Sequence, residues 1–311
     1  MSDLLPIPAA AADWHALRLR HVGASEVAAL FGAQPDYAMG VYALWHVKAG
    51  RIPPPQVNNP RTRAGLALEQ AITELAAEQE GWTVAPGVYA SRDGLGATLD
   101  RLIPDPGPND AGMTGPGVLE LKNVDWLVHR RSWGDEPPLH ILLQLQAQLA
   151  ATGYGWGAVA ALVGGNEVHV YRYTARPKLQ AEILARVRAF WASIAEDRPP
   201  QPDGSDATYR ALVMMNPATE EEPADLTEDN EAPELAAVYL RLSGEIAERT
   251  KARDEARNRL LAKLGPHRAA RVTGFRLSQA VTEAKPDREA LPGEIIKGRA
   301  ESRRLIVKEA A

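Results

Sequence analysis

The five residues Val118-Leu119-Glu120-Leu121-Lys122 constrain the fold more than any other stretch of the chain. Read as a strand, they alternate with period two. Leu119 and Leu121 share one face, and Glu120 and Lys122 share the other. An acid and a base thus sit side by side on a strand whose opposite face is apolar. Twenty residues earlier, Asp100 ends the apolar run Ala97-Thr98-Leu99. If the two runs pair, a second carboxylate lies beside the first. Two carboxylates hold a hard divalent cation, and an adjacent ammonium orients water or neutralises a phosphoryl oxygen. These groups suit phosphodiester hydrolysis. The plainer reading is an ordinary ion pair on a solvated strand, and the strand alone does not decide between them.

Composition removes several alternatives. With no cysteine in 311 residues, disulfides, thiolate zinc sites, cysteine nucleophiles and cysteine-ligated iron–sulfur clusters are excluded, and a cytosolic setting is expected. No apolar window is long enough for a membrane span. Met1–Ala12 lacks the basic start of a signal peptide. The net charge of −5 speaks against a nucleic-acid coat protein but says little about a local groove. Its distribution divides the chain. Residues 1–200 are mildly acidic and carry the core, residues 201–234 are strongly acidic with the character of a solvated linker, and residues 235–311 are basic.

Periodicity and punctuation give an α/β pattern in the core. Helices are expected at Trp14–Arg20, at Ala24–Phe31 with Ser25 as N-cap, at Val41–Lys48, and from about Thr62 to a stop at Gly81. Strands are expected near Thr83–Ala90, Leu95–Ile103 and Val118–Asn123. A helix over Leu139–Thr152 follows. Val159–Val163 and Val168–Tyr173 read as a hairpin closed by Gly164-Gly165-Asn166. An amphipathic helix, Lys178–Ala195, closes the core with Leu179, Ile183, Val187, Phe190 and Ile194 on one stripe. This order predicts a central mixed β-sheet flanked by helices. The tail predicts a long helix, Glu234–Leu264, stopped by Gly265-Pro266, then strands at Arg271–Ser278 and Leu305–Lys308.

Several motifs stand in a meaningful order. Trp14-His15-Ala16-Leu17-Arg18-Leu19-Arg20 precedes Gly23-Ala24-Ser25-Glu26-Val27. Then come Gly65-Leu66-Ala67-Leu68-Glu69, Asp100 with Glu120-Leu121-Lys122, and Gln144-Leu145-Gln146-Ala147-Gln148 running on to Gly153-Tyr154. Over roughly Asp13–Pro199 the chain resembles the lambda exonuclease/YqaJ family of phage recombination exonucleases, in the PD-(D/E)XK nuclease superfamily. The resemblance implies a restriction-endonuclease-like α/β core, here with a C-terminal helical and β appendage. It also implies a Mg2+-dependent deoxyribonuclease, with Mn2+ as an alternative ion, acting 5′ to 3′ on double-stranded DNA ends in phage-type recombination. Implied partners are a single-strand annealing protein and further copies of the chain, in the cytoplasm of a bacterial host. A structure-specific endonuclease and a non-catalytic DNA- or protein-binding module of the same fold are the alternatives.

The resemblance also assigns roles. Glu69, Asp100, Glu120 and the Leu121 carbonyl are the implied metal ligands, and Asp100, Glu120, Lys122 and Gln146 the catalytic set, with Gln144 as the next choice after Gln146. Residues two apart on a helix lie about 200° apart, so Gln144 and Gln146 cannot both face one site. Arg18 and Ser25 are the implied grip on a 5′-phosphate, with Arg20 as a rival; an arginine fork and amides at a helix start suit that anion. His129, His140 and His169 read as structural or surface residues, and Trp126 and Trp133 as packing residues. Departures from the family are Thr98, Arg101, and the Gly/Pro-rich loop 105–117 between the two strands.

Overall fold

The alternating segment is the middle strand of a five-stranded mixed sheet. The structure, a computed structural model, describes residues 3–55, 59–217, 220–284, 288–291, 294–296 and 302–309. The chain divides into two compact units, Met1–Glu221 and Glu222–Ala311.

In the first unit the order is β1 (Asp3–Leu5), α1 (Ala11–Leu19), β2 (Val22–Gly23), a 3-10 turn (Ala24–Glu26), α2 (Val27–Leu30), α3 (Val41–Lys48) and α4 (Pro60–Glu80). Then come β3 (Ala85–Pro86), β4 (Tyr89–Arg92), β5 (Leu95–Thr98), β6 (Arg101–Ile103), β7 (Gly117–Val124), α5 (Trp126–Ser132) and α6 (Leu139–Thr152). The unit ends with β8 (Trp156–Val163), β9 (Glu167–Thr174), α7 (Pro177–Ala195) and α8 (Asp206–Met215). The main sheet has the order β3-β6-β7-β8-β9, and a smaller one the order β1-β4-β5-β2. β7 and β8 are parallel, so the chain must cross over between them, and α6 is the main element of that crossover.

The period-two alternation sorts the core into two layers. Val118 and Val124 of β7, with Val159, Ala161 and Val163 of β8, pack with Leu145 and Leu149 of α6. Leu119 and Leu121, with Ala158, Ala160 and Leu162, pack on the other face with Ile72 and Ala76 of α4. β8 is buried on both faces, which is why it reads as an unbroken apolar run. The two covering helices are well punctuated. Asn59 caps α4 by accepting from the Thr62 amide, and Gly81 and Gly153 end α4 and α6 with left-handed backbone.

The mixed sheet with flanking helices is as expected, and three local expectations change. The run Leu95–Ile103 is two strands, because the chain leaves the ladder at Leu99 and Asp100. Gly87 permits that break: a Cβ there would fall 1.8 Å from the Leu99 carbonyl oxygen. Thr83–Ala90 likewise contributes only Ala85–Pro86 and the start of β4. Within the expected acidic linker, residues 206–215 form α8, capped by Ser205 and burying Ala207, Thr208 and Ala211 against α3. Its short apolar face was hidden by the surrounding acidic and proline residues. No helix among the described residues is long and apolar enough to cross a membrane.

In the second unit α9 (Ala232–Leu264) precedes β10 (Ala269–Val272) and β11 (Phe275–Thr282), with Gly274 at positive φ in the turn between them. β12 (Arg288–Leu291) and β13 (Glu294–Ile296) pair with each other, and β14 (Ser302–Glu309) pairs with β11.

The loop 105–117 is not loose. Asp110, only 2 % exposed, accepts from the Trp82 indole at 2.5 Å, the Gly107 amide at 2.6 Å and Arg172 Nε at 2.6 Å. Arg172 also pairs with Glu80 at the end of α4, and Asn109 donates to the same carboxylate. One arginine on β9 therefore ties the loop to α4. Burial works to raise the Asp110 pKa, but these donors outweigh it and hold the carboxyl below its ordinary 3.8. Its stabilisation is therefore complete above that ordinary value and is lost as acid titrates the folded form below it. Asp110→Ala, which leaves the Trp82 indole and the Gly107 amide without this acceptor and Arg172 with Glu80 alone, is expected to cost about 3 kcal/mol at neutral pH. Urea denaturation should show that deficit shrinking below about pH 4; a constant deficit would exclude the charged network as its source.

Candidate active site

Where the strand breaks, a backbone donor changes partner. β6 and β7 pair antiparallel with Arg101 opposite Leu119, so a continued ladder would place Leu99 opposite Leu121. The chain has turned away by then, and the Leu121 amide donates to Asp100 Oδ2 at 2.8 Å. The break thus aims Asp100 at the same segment of β7 that carries Glu120 and Lys122.

Glu120 is 2 % exposed, and an isolated carboxylate at such depth is costly. Three donors satisfy it. Lys122 Nζ lies 2.5 Å and Gln144 Nε2 2.6 Å from Oε1, and Gln148 Nε2 lies 2.5 Å from Oε2. Lys122 also donates to the Gln144 amide oxygen at 3.2 Å. Gln144 and Gln148 are four apart on α6 and so project from one face.

Gln146 is a correction to the expected site. It faces the opposite way, donating to the Thr174 carbonyl at 2.9 Å and accepting from the Arg176 amide at 2.9 Å. It fastens the end of β9 to the start of α7, while Gln144 and Gln148 hold Glu120. Gln144 and Gln146 face different ways, as their i, i+2 spacing requires. The missed signal was Gln148, at i+4 from Gln144.

Electrostatics separate the charged groups. Asp100 has its pKa raised, first by burial, then by the charges of Glu120 and Glu69, against the help of Lys122 and the Leu121 amide. Glu69 on α4 is raised as well, chiefly by burial. Burial opposes the charge of Lys122, but Glu120 and Asp100 outweigh it and hold the ammonium above its ordinary value. Arg101, noted only as a departure from the family, is part of this setting. It donates to the Asp100 carbonyl at 2.7 Å and reaches within 4.0 Å of Glu69. His140 also lies close, its pKa lowered by burial and by Lys122.

Among the described residues no three acidic or histidine side chains already stand close enough together to hold a metal ion. The donor chemistry nonetheless fits a hard divalent cation. The groups are carboxylates whose mutual repulsion is relieved by positive charge. The buried Gln148 amide oxygen beside Glu120 has no partner, which leaves an unsatisfied acceptor at the site.

Arg18 and Ser25 lie at a second place, brought near by α6, against which the 3-10 turn packs. Ser25 is exposed and does not cap the helix as expected. Glu26 does so instead, its Oε2 accepting from the Gly23 amide at 2.7 Å. Arg18 stacks over Trp14 at 4.7 Å and faces Glu26 Oε1 at 3.5 Å. Lys48 at the end of α3, which the sequence did not single out, lies 2.7 Å from Glu26 Oε2 and donates to the Arg18 carbonyl at 2.9 Å. Arg20 is exposed and makes no ion pair among the described residues. Of the tryptophans, Trp133 is buried in the core, while Trp126 is exposed with Arg130 over its ring.

Residues 13–155 match the family described as the YqaJ-like viral recombinase domain. The matched span holds Arg18, Ser25, Glu69, Asp100, Glu120, Lys122 and all three glutamines. No curated protein matches the chain. Two solved structures of an alkaline exonuclease (LHK-Exo) from Laribacter hongkongensis, one in complex with dAMP, are similar at 21 % identity. In each case the match covers 60 % of this chain and 94 % of that one, with a TM-score of 0.47.

The raised pKa of Asp100 has a consequence for stability. A raised carboxyl pKa means that the folded protein loses stability as pH climbs from the ordinary aspartate value through the raised one. Asp100→Asn keeps an acceptor for the Leu121 amide and removes the charge. In a chelator it is expected to melt higher than wild type at pH 8, by an equivalent of about 1 kcal/mol. The gap should narrow steadily on acidification and close only near the ordinary aspartate value, about pH 4; a gap that widens on acidification would contradict the assignment.

Proposed function

We propose that the protein is a divalent-metal-dependent deoxyribonuclease, a 5′-to-3′ exonuclease on double-stranded DNA ends acting in phage-type homologous recombination. The observation that carries this reading is the buried Asp100–Glu120–Lys122 grouping at a broken strand inside a YqaJ-like domain. Mg2+, with Mn2+ as a substitute, would be held by Asp100, Glu120, the Leu121 carbonyl and Glu69. Such an ion supplies an activated water and charge stabilisation for the leaving oxygen.

The chain's own groups have distinct tasks. Lys122, fixed against Glu120 in a poorly solvated site, orients the attacking water and stabilises charge developing on the phosphoryl oxygens. Gln144 and Gln148 keep the Glu120 carboxylate in one orientation. Arg18, with Ser25 and the amides of the 3-10 turn, grips the terminal 5′-phosphate. That grip is what favours an exonuclease over a structure-specific endonuclease of the same fold. A single-strand annealing protein and further copies of the chain are the proposed partners, in a bacterial host's cytoplasm.

Lys122→Ala and Glu120→Gln are each expected to slow Mg2+-dependent digestion of linear duplex DNA on the order of a thousandfold. Wild-type rates from either variant would sink the mechanism. Duplexes labelled at the 5′ or the 3′ end, run beside closed circles, test polarity and end dependence together. Rapid cutting of closed circles would favour the endonuclease. Separately, Mg2+ should raise the melting temperature of wild type and leave that of an Asp100→Asn/Glu120→Gln double variant unmoved.

A further inference from the structure

The surroundings of Arg18 contain a third charge whose position is hard to explain by packing alone. The Lys48 side chain is 2 % exposed. Its ammonium reaches across from the end of α3 to two acceptors, Glu26 Oε2 and the backbone carbonyl of Arg18. That carbonyl belongs to the last turn of α1, where a cation is favourable. The same Glu26 oxygen also accepts from the Gly23 amide, and the other faces Arg18. One carboxylate is therefore bracketed by two cations, one buried and one partly exposed.

Charge counting gives the arrangement its meaning. Glu26 and Lys48 cancel, and the group of three keeps a net charge of +1 that resides on Arg18. Were Lys48 neutral, Glu26 would be left with Arg18 as its one cationic partner. An arginine fork closes readily on a carboxylate, with two parallel hydrogen bonds. It would then be neutralised and turned away from any incoming anion. The 3.5 Å separation and the stacking on Trp14 describe an arginine held near Glu26 without being claimed by it.

We propose that Lys48 is a positioning residue that satisfies Glu26 so that Arg18 stays free to bind a terminal 5′-phosphate. The inference rests on the 5′-phosphate reading of Arg18 and deepens it. Lys48 itself, being buried, need not touch DNA. Its effect is on discrimination between ends, because it governs a cation used only when a terminal phosphate is present.

The test compares kcat/KM on linear duplexes bearing a 5′-phosphate or a 5′-hydroxyl, for wild type, Lys48→Met and Glu26→Gln/Lys48→Met. Lys48→Met should lower the rate on phosphorylated ends by about tenfold and leave the hydroxyl rate nearly unchanged. The double variant, which removes both charges of the Lys48–Glu26 pair, should restore the wild-type ratio. Lys48→Gln, retaining a donor but no charge, repeats the test should Lys48→Met not fold. Equal losses on both ends, or a double variant no better than the single one, would overturn the proposal and leave Lys48 a structural residue. A wild-type enzyme indifferent to the end group would instead overturn the 5′-phosphate reading, and this inference with it.

Discussion

The carboxylate of Glu120 is buried in the middle strand of the main sheet, and much of the first unit is arranged to make that tolerable. A charge at such depth needs hydrogen-bond donors of its own, and its own strand supplies only one of them. Lys122 comes from the same face of the same strand, two residues on. The other donors must come from above, which requires a helix across β7 with two amides on its lower face. α6 is that helix, and the crossover between two parallel strands delivers it there. The topology and the electrostatics therefore impose the same requirement on α6.

α6 also carries the rest. The 3-10 turn, α2, β4, β5 and α7 all pack against it, so the place occupied by Arg18 and Ser25 and the place occupied by Glu120 share one rigid support. The smaller sheet adds a second link. β2 pairs with β5, bringing Gly23 beside Gly96, and β5 leads within two residues to Asp100. Even the loop between β6 and β7, rich in glycine and proline, is held by the buried Asp110–Arg172–Glu80 set. It keeps the hairpin closed on which the approach of Asp100 to Leu121 depends.

What could be read in the sequence follows from the range of the interaction concerned. The alternation of β7, the unbroken apolar run of β8 and the limits of α6 are local, encoded in residue spacing and in Gly153. So was the pairing of Glu120 with Lys122, since residues two apart on a strand share a face. Legibility ended where a partner comes from a distant element. Lys48 is 22 residues from Glu26, and nothing in the Val41–Lys48 helix marks its last residue as buried. Gln146 lies away from the site for a related reason: all three glutamines are on one helix, and only the direction of β7 decides which two meet it. Ser25 invited a cap by residue type, but the reach of Glu26 back to the Gly23 amide made that cap unnecessary.

The two carboxylates at the broken strand are not equivalent, and the difference locates the unmet electrostatic demand. Glu120 has a cation and two amides, and both of its oxygens are engaged. Asp100 has one backbone donor among the described residues, and it answers to the negative charges of Glu120 and Glu69. Lys122 relieves it in part, while Arg101 gives its hydrogen bond to the Asp100 backbone carbonyl and leans toward Glu69. Positive charge arriving at the site would therefore be felt most strongly at Asp100, the group that the strand break placed there. The break in β5–β6 costs the sheet some ladder hydrogen bonding. In return it presents a carboxylate that folding leaves under-compensated, the condition in which a side chain answers to a bound cation instead of to its own protein.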